Sequence, residues 1–139
     1  MSFLLDTNVL SELRKGARCD PSVASWFEAT HPGEIFLSVL SIGEIRRGIG
    51  LIRRRDPSAA KELEEWLEAL IRDHGERLLP IDRETAAEWG DLNVPDPLPV
   101  VDSLLAATAK VHGLTLATRN TRDVQRTGVK YVNPFETFG

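Results

Sequence analysis

Short apolar runs alternate along this chain with longer segments in which apolar residues recur at helical spacing. The runs cover residues 3–5, 35–39, 78–81, 114–117 and 129–132. Runs this short that are mostly apolar, without strict alternation of apolar and polar residues, are typical of strands buried on both faces of a sheet. The pattern therefore predicts five strands. Pro80 places the third strand at an edge of the sheet, because proline cannot donate a hydrogen bond to a neighbouring strand.

Seven helices are predicted between these strands. Two of their starts carry clear signals: Asp56-Pro57 offers an N-cap and a proline at the first helical position, and Ser41-Ile42-Gly43-Glu44 has the form of a capping box. Gly75 is the predicted C-cap of the helix that begins at Pro57. The other helices are predicted at residues 9–15, 21–30, 83–93 and 100–112, with a short one from about residue 124.

The predicted order is β-αα-β-αα-β-αα-β-α-β. Such alternation predicts an α/β fold of three layers, in which a parallel sheet lies between two layers of helices and the crossovers are right-handed. At 139 residues the chain is predicted to form one domain over residues 1–139.

Composition narrows the class of protein. The single cysteine cannot form an intramolecular disulfide, and no apolar run approaches the ~20 residues that span a bilayer. Asp6 interrupts the apolar start that a signal peptide would need. These features predict a cytoplasmic protein with no membrane partner. A net charge of −4 argues against a protein that coats nucleic acid through excess Lys and Arg, but not against an enzyme that acts on nucleic acid through metal ions.

Four carboxylates stand at related places in this order: Asp6, Glu44, Asp102 and Asp123. Asp6 and Asp123 follow strands, Glu44 lies one turn into a helix that follows a strand, and Asp102 heads a helix. Taken singly, each is better explained as a helix cap or as a charge in the first turn of a helix. Taken together, they are expected to meet, because strand ends and the helix starts that follow them collect at one edge of a parallel sheet.

An acidic cleft of this kind suits a hard divalent cation such as Mg²⁺ or Mn²⁺. Without a cation the carboxylates disfavour one another's ionised state, and a bound cation turns that repulsion into attraction. Metals held in this way can activate a water and can neutralise the charge that develops on a phosphodiester during in-line attack.

The neighbours of the carboxylates fit phosphate chemistry. Arg47 and Gly48 share the helix face of Glu44, so Arg47 could meet a phosphate oxygen while Gly48 leaves room for close approach. A solvated surface arginine explains Arg47 equally well. The run Arg53-Arg54-Arg55 could contact RNA or an acidic partner, although a solvated helix end is its more usual meaning.

Two further polar residues stand at the end of the fourth strand. Thr118 and Asn120 could hold the loop of Asp123 or a metal-bound water. A plain turn role also stays open for Asn120.

Five segments of the chain match one family in order and at its spacing: LLDTNVLSELRK, LSVLSIGEIRRGI, RLLPID, PLPVVDSLLAATAKVHGLTLATRN and TGVKYVNPFE. Through them the chain resembles the PIN-domain ribonucleases, in particular the VapC-type toxins of bacterial toxin–antitoxin pairs, including their FitB-like branch. The segments cover most of the sequence. Any one of these motifs alone would be weak, and their combination is highly specific.

The resemblance implies a PIN-like fold with a five-stranded parallel sheet flanked by helices. It also implies RNA cleavage that depends on Mg²⁺ or Mn²⁺, with water as the nucleophile. The four carboxylates fall on the family's acidic positions. Asn8, Thr118 and Asn120 fall on its usual supporting polar positions. The resemblance further implies a homodimer and inhibition by a cognate antitoxin, a small DNA-binding protein.

Two functions of different classes are compatible with these features. The first is a metal-dependent endoribonuclease that acts as the toxin of a toxin–antitoxin pair. The second is a weakly active regulatory binding module whose main role is complex formation with a DNA-binding antitoxin. An aspartate-nucleophile phosphatase would need a second Asp two residues after Asp6, and the chain has Asn8 there.

Overall fold

Five short parallel strands form the sheet of the computed structural model, which describes residues 1–136. The strands are β1 (Phe3–Leu5), β2 (Ile35–Ser38), β3 (Leu78–Leu79), β4 (Thr115–Ala117) and β5 (Tyr131–Val132). Their order across the sheet is β3-β2-β1-β4-β5, and all four pairings are parallel. The predicted α/β class with five parallel strands is confirmed, and the strand before Pro80 lies at an edge. Residues 137–139 of the predicted domain lie outside the described range.

Seven α-helices connect the strands within residues 1–136. They are α1 (Thr7–Leu13), α2 (Pro21–Glu28), α3 (Val39–Arg53), α4 (Pro57–His74), α5 (Arg83–Leu92), α6 (Val100–Val111) and α7 (Thr121–Gln125). The order of strands and helices matches the predicted order throughout. None of these helices combines the length and the apolar character that crossing a bilayer requires.

Two hydrophobic clusters cover the two faces of the sheet. Helices α1 to α4 pack on one face, where Leu5 of β1 meets Val9, Ile49 and Leu67. Helix α6 packs on the other face, where Leu4 meets Leu105. Successive side chains of a strand point to opposite faces, so β1 contributes to both clusters, and Leu4 and Leu5 are both almost fully buried. Because β1 is the central strand, helix α1 begins at the middle of the sheet edge. Asp6, between β1 and α1, therefore lies there too.

Helix α3 starts earlier than the sequence suggested. Its N-cap is Ser38, whose side chain accepts a hydrogen bond of 3.0 Å from the backbone N–H of Leu40. Ser41 is already inside the helix and fully buried. The predicted capping box at residues 41–44 is therefore wrong, because a serine at the end of β2 satisfies the first turn before that box begins.

Helix α4 has the predicted ends. The Asp56 side chain accepts a hydrogen bond from the N–H of Ala59 at 3.1 Å, and Pro57 is the first helical residue. Gly75 ends the helix with a φ of +48°, a conformation that favours glycine.

Candidate active site

A cleft of about 630 Å³ opens at the edge of the sheet where the parallel strands end. Three of the four predicted carboxylates line it: Asp6, Glu44 and Asp102. They come from three separate elements, since Asp6 follows β1, Glu44 lies in α3 and Asp102 lies in the first turn of α6. The fold therefore brings together carboxylates that are up to 96 positions apart in the numbering, from 6 to 102.

Asp6 is the most enclosed of these carboxylates, with an exposed fraction of 7%. Its backbone N–H donates to the carbonyl of Ala117 at 2.9 Å, which extends the pairing of β1 with β4 into the cleft. Its Oδ2 accepts a hydrogen bond of 2.6 Å from the hydroxyl of Thr118 and one of 3.3 Å from Nδ2 of Asn8. Burial raises the pKa of Asp6 and the charge of Glu44 adds to the rise, while the Thr118 hydroxyl opposes it.

Asp102 and Asp123 are joined through one amide. Asn120 donates from Nδ2 to Asp102 Oδ2 at 2.7 Å and to Asp123 Oδ2 at 3.2 Å. Partial burial raises the pKa of Asp102, and the charges of Asp6 and Asp123 raise it further, against the hydrogen bond from Asn120. Asp123 is thus close enough to act on Asp102, although it is not one of the residues that line the cleft.

The three predicted supporting residues all contact this cluster. Thr118 is fully buried and accepts a hydrogen bond of 3.0 Å from the N–H of Asn120 while it donates to Asp6. Asn8 accepts one of 3.4 Å from the N–H of Arg119. A continuous chain of hydrogen bonds therefore runs from Asp6 through Thr118 and Asn120 to Asp102.

The two residues predicted to touch substrate lie outside the cleft walls. Gly48 lines an adjoining depression of about 250 Å³, together with Glu44, Arg14 and Trp66. A Cβ placed on Gly48 would meet no atom within 4 Å, so this depression is open at that point. Arg47 is exposed.

Capping explains few of these carboxylates. Asp6 occupies the N-cap position of α1, but its side chain makes no capping hydrogen bond. Glu44 lies in the interior of α3, and Asp123 is the third residue of α7 instead of preceding it. Asp102 lies in the first turn of α6, as predicted, and Asp123 lies in the first turn of α7.

Two hydroxyl residues of the site were not anticipated from the sequence. Thr7 Oγ1 lies 2.6 Å from Oε1 of Glu44 and 2.8 Å from Oγ of Ser41. The sequence predicts a capping role for Ser41 and no role in the site for Thr7. Their contacts span 37 and 34 residues, so no local spacing reveals them.

No positive side chain neutralises the carboxylates within residues 1–136, where the ion pairs involve other residues. The guanidinium of Arg119, next to Thr118, lies over the ring of Phe135, 4.5 Å from its centroid. Buried and clustered carboxylates without a cationic partner are costly, and a hard divalent cation would relieve that cost.

The donor set fits such a cation, although no three His, Cys, Asp or Glu side chains of the described residues are arranged to hold one as they stand. Mg²⁺ keeps several waters and takes one or two carboxylates from the protein. Asp6 and Asp102, which line one cleft, suffice for that number.

Comparison with known proteins gives one consistent family. Residues 3–130 match the family model of the PIN domain. The chain is 33% identical over 142 residues to the VapC ribonuclease Y4jK of Sinorhizobium fredii, covering 96% of this chain and 98% of that relative. It is 30% identical over 139 residues to the toxin FitB of Neisseria gonorrhoeae, covering 96% of this chain and 98% of FitB.

A solved structure agrees with these sequence matches. A chain in the structure of FitAB bound to an IR36 DNA fragment superposes on this protein with a TM-score of 0.88 and 28% identity. The superposition covers 99% of this chain and 98% of that chain. The likeness therefore extends over the whole domain.

Proposed function

Because this chain belongs to the PIN domain family, together with VapC ribonucleases and the toxin FitB, we propose that it is a metal-dependent endoribonuclease and the toxin of a toxin–antitoxin pair. The observation that carries the proposal is the cleft lined by Asp6, Glu44 and Asp102, in which no Lys or Arg of residues 1–136 pairs with a carboxylate. A site built in this way is suited to collect Mg²⁺ or Mn²⁺ and, through it, the phosphates of RNA.

In this proposal the side chains divide the work. Asp6 and Asp102 would hold the cation, and Glu44 would be a further ligand that reaches it from α3. Thr118 and Asn8 hold the Asp6 carboxylate in one orientation, while Asn120 bridges Asp102 and Asp123. When bound, the cation lowers the pKa of the attacking water and offsets charge on the phosphodiester. Burial of Asp6 keeps competing water from its carboxylate, which strengthens each charge interaction there.

The proposed partners follow from the same family membership. They are an RNA substrate, a cognate antitoxin that binds DNA, and a second copy of this chain in a homodimer. The relative named as a ribonuclease and the FitAB complex with DNA support the first two.

The proposal predicts that cleavage depends on the cleft carboxylates. Total RNA incubated with the protein and Mg²⁺ or Mn²⁺ should be cut at defined sites, and EDTA should stop the reaction. Asp102→Asn should lower the cleavage rate by about 100-fold or more, because it removes charge from a proposed metal ligand. Asp91→Asn, which removes an exposed carboxylate from α5, is the matched control and should cleave at the wild-type rate.

Two outcomes would contradict the proposal. Cleavage by Asp102→Asn at the wild-type rate would exclude Asp102 as a ligand. A wild-type protein that binds its antitoxin tightly but cuts no RNA with either cation would favour the regulatory binding module instead.

A further inference from the structure

A pair of hydroxyls joins helix α1 to helix α3 beside the cleft. Thr7 is the first residue of α1, and Ser41 and Glu44 lie one turn apart on α3. Thr7 Oγ1 is 2.6 Å from Glu44 Oε1 and 2.8 Å from Ser41 Oγ. Both contacts are within hydrogen-bond distance, and the shorter one has the length of a hydrogen bond to an ionised carboxylate.

The direction of these hydrogen bonds follows from what each group can donate. A hydroxyl has one proton to donate, and an ionised carboxylate only accepts. Thr7 therefore donates its proton to Glu44. The Ser41 hydroxyl donates in turn to the Thr7 oxygen, which leaves a relay that runs from Ser41 through Thr7 to Glu44.

The relay is anchored in the core at one end and reaches the cleft at the other. Ser41 is fully buried, Thr7 is partly buried, and Glu44 is exposed on the surface of α3. A free glutamate at such a position samples many rotamers, and fixing it in one of them costs side-chain entropy. The Thr7 hydroxyl is the one hydrogen-bond partner of the Glu44 side chain within residues 1–136.

We propose that Thr7, supported by Ser41, is a positioning residue that holds the Glu44 carboxylate at the cleft in the orientation that binds the cation. This inference rests on the proposed function, since it assigns Glu44 to the metal site. Thr7 Oγ1 engages Oε1 alone, which leaves Oε2 of Glu44 free to face the cation. Because one oxygen is already held, the Glu44 side chain is ordered before the cation binds, and binding then loses less side-chain entropy.

A purely structural role makes a different prediction. If Thr7 only tied α1 to α3, its loss would lower thermal stability whether or not Glu44 were present. The packing of Val9, Leu10 and Ile45 already joins these helices in the core. A positioning role instead makes the effect of Thr7 depend on Glu44, which a double-mutant cycle measures.

The experiment measures Mn²⁺ affinity directly, by electron paramagnetic resonance of free Mn²⁺, without RNA. Thr7→Val keeps the shape and removes the hydroxyl, and it should weaken Mn²⁺ binding about tenfold. Thr7→Ser keeps the hydroxyl and should stay within about twofold of the wild type. Ser41→Ala should weaken binding less than Thr7→Val, because it removes only the support of the relay. In a Glu44→Ala background, Thr7→Val should have no further effect.

The outcomes separate the inference from the proposed function. If Glu44→Ala weakens Mn²⁺ binding but Thr7→Val does not, Glu44 is a ligand and the relay is overturned. If Thr7→Val weakens binding equally with and without Glu44, Thr7 acts by another route and the relay is again overturned. If Glu44→Ala leaves Mn²⁺ affinity unchanged, the assignment of Glu44 in the proposed function fails, and the inference fails with it.

Discussion

At the scale of single residues, the site is defined by charges that the fold holds together at a cost. Asp6 is 7% exposed, and the pKa of its carboxyl and that of Asp102 are both raised, first by burial and then by neighbouring carboxylates. A raised carboxyl pKa means that the folded state prefers the protonated form more than the unfolded state does. At neutral pH without cation, these carboxylates therefore oppose folding.

This cost predicts an unusual stability change for Asp102→Asn. The amide keeps an oxygen that can accept from Asn120 and removes the charge. In EDTA the variant should melt above the wild type by about 2 °C, which corresponds to roughly half a kcal/mol in a domain of this size. With Mn²⁺ at about 100 times its Kd, the wild type gains about 2.7 kcal/mol and the order should invert. Scanning calorimetry in both buffers tests this, and a lower Tm for the variant in EDTA would contradict it.

The same group predicts a pH dependence. Asp102 opposes folding above its raised pKa, and the effect vanishes below its ordinary value of 3.8, where both states are protonated. In EDTA the stability advantage of Asp102→Asn should be full at pH 7.5 and should shrink as the pH falls toward 3.8. Urea unfolding of both proteins at several pH values measures the difference. An advantage that is constant with pH would exclude titration of Asp102 as its cause.

The meeting of the four carboxylates in one region is predictable from the sequence, because strand ends in a parallel sheet share an edge. Asp123 was expected there, and the structure adds that Asn120 joins it to Asp102. The contact between Thr7 and Ser41 could not be predicted, for a physical reason. Hydroxyls are common on helices, and only the packing of α1 against α3 brings these two within 2.8 Å.

At the scale of elements, helix ends decide how accurately the site is positioned. The N-cap of α3 is Ser38, which is fully buried at the end of β2, and Glu44 lies further along the same helix. The sequence contains two serines that could start this helix, Ser38 and Ser41, and pattern alone favoured the one followed by Glu44. Only the length of β2 within the sheet decides between them, and that length is a tertiary property.

Ser38→Ala should cost about 1 kcal/mol of unfolding free energy, since it leaves the N–H of Leu40 without its partner. Ser38→Gly should cost only a few tenths of a kcal/mol, because glycine is well accepted at N-caps. Urea unfolding of the two variants beside the wild type measures both values. Equal and negligible losses in the two variants would show that this cap does not stabilise α3.

At the scale of the whole molecule, one sheet has a hydrophobic core on each of its two faces. The cluster beneath α1 to α4 and the cluster beneath α6 meet at β1, through Leu5 and Leu4. The apolar run at residues 3–5 predicts that both clusters share this strand, since a strand buried on both faces needs a layer of helices on each side of the sheet. The homodimer and the cytoplasmic location have no counterpart in the fold of one chain, and both stay predictions.

The shared strand predicts that the molecule unfolds as one unit. Leu67→Ala on one face and Leu105→Ala on the other should each lower the unfolding free energy by about 2–5 kcal/mol, since both side chains are fully buried. In each variant the loss should appear as a single urea transition, with circular dichroism and tryptophan fluorescence coinciding. Two separate transitions in either variant would show that the cores are independent.

The hydrogen bond from Thr118 to Asp6 joins residues that are 112 positions apart, so it cannot form early in the synthesis of the chain. A ribosome that adds about 5–20 residues per second needs roughly 6 to 22 s to travel that distance. During this time β1 has no β4 beside it, and the carboxylate of Asp6 lacks the hydroxyl that orients it. In the nascent chain the proposed metal site is therefore incomplete until residue 118 has been synthesised, so its assembly is one of the later events in the making of this domain.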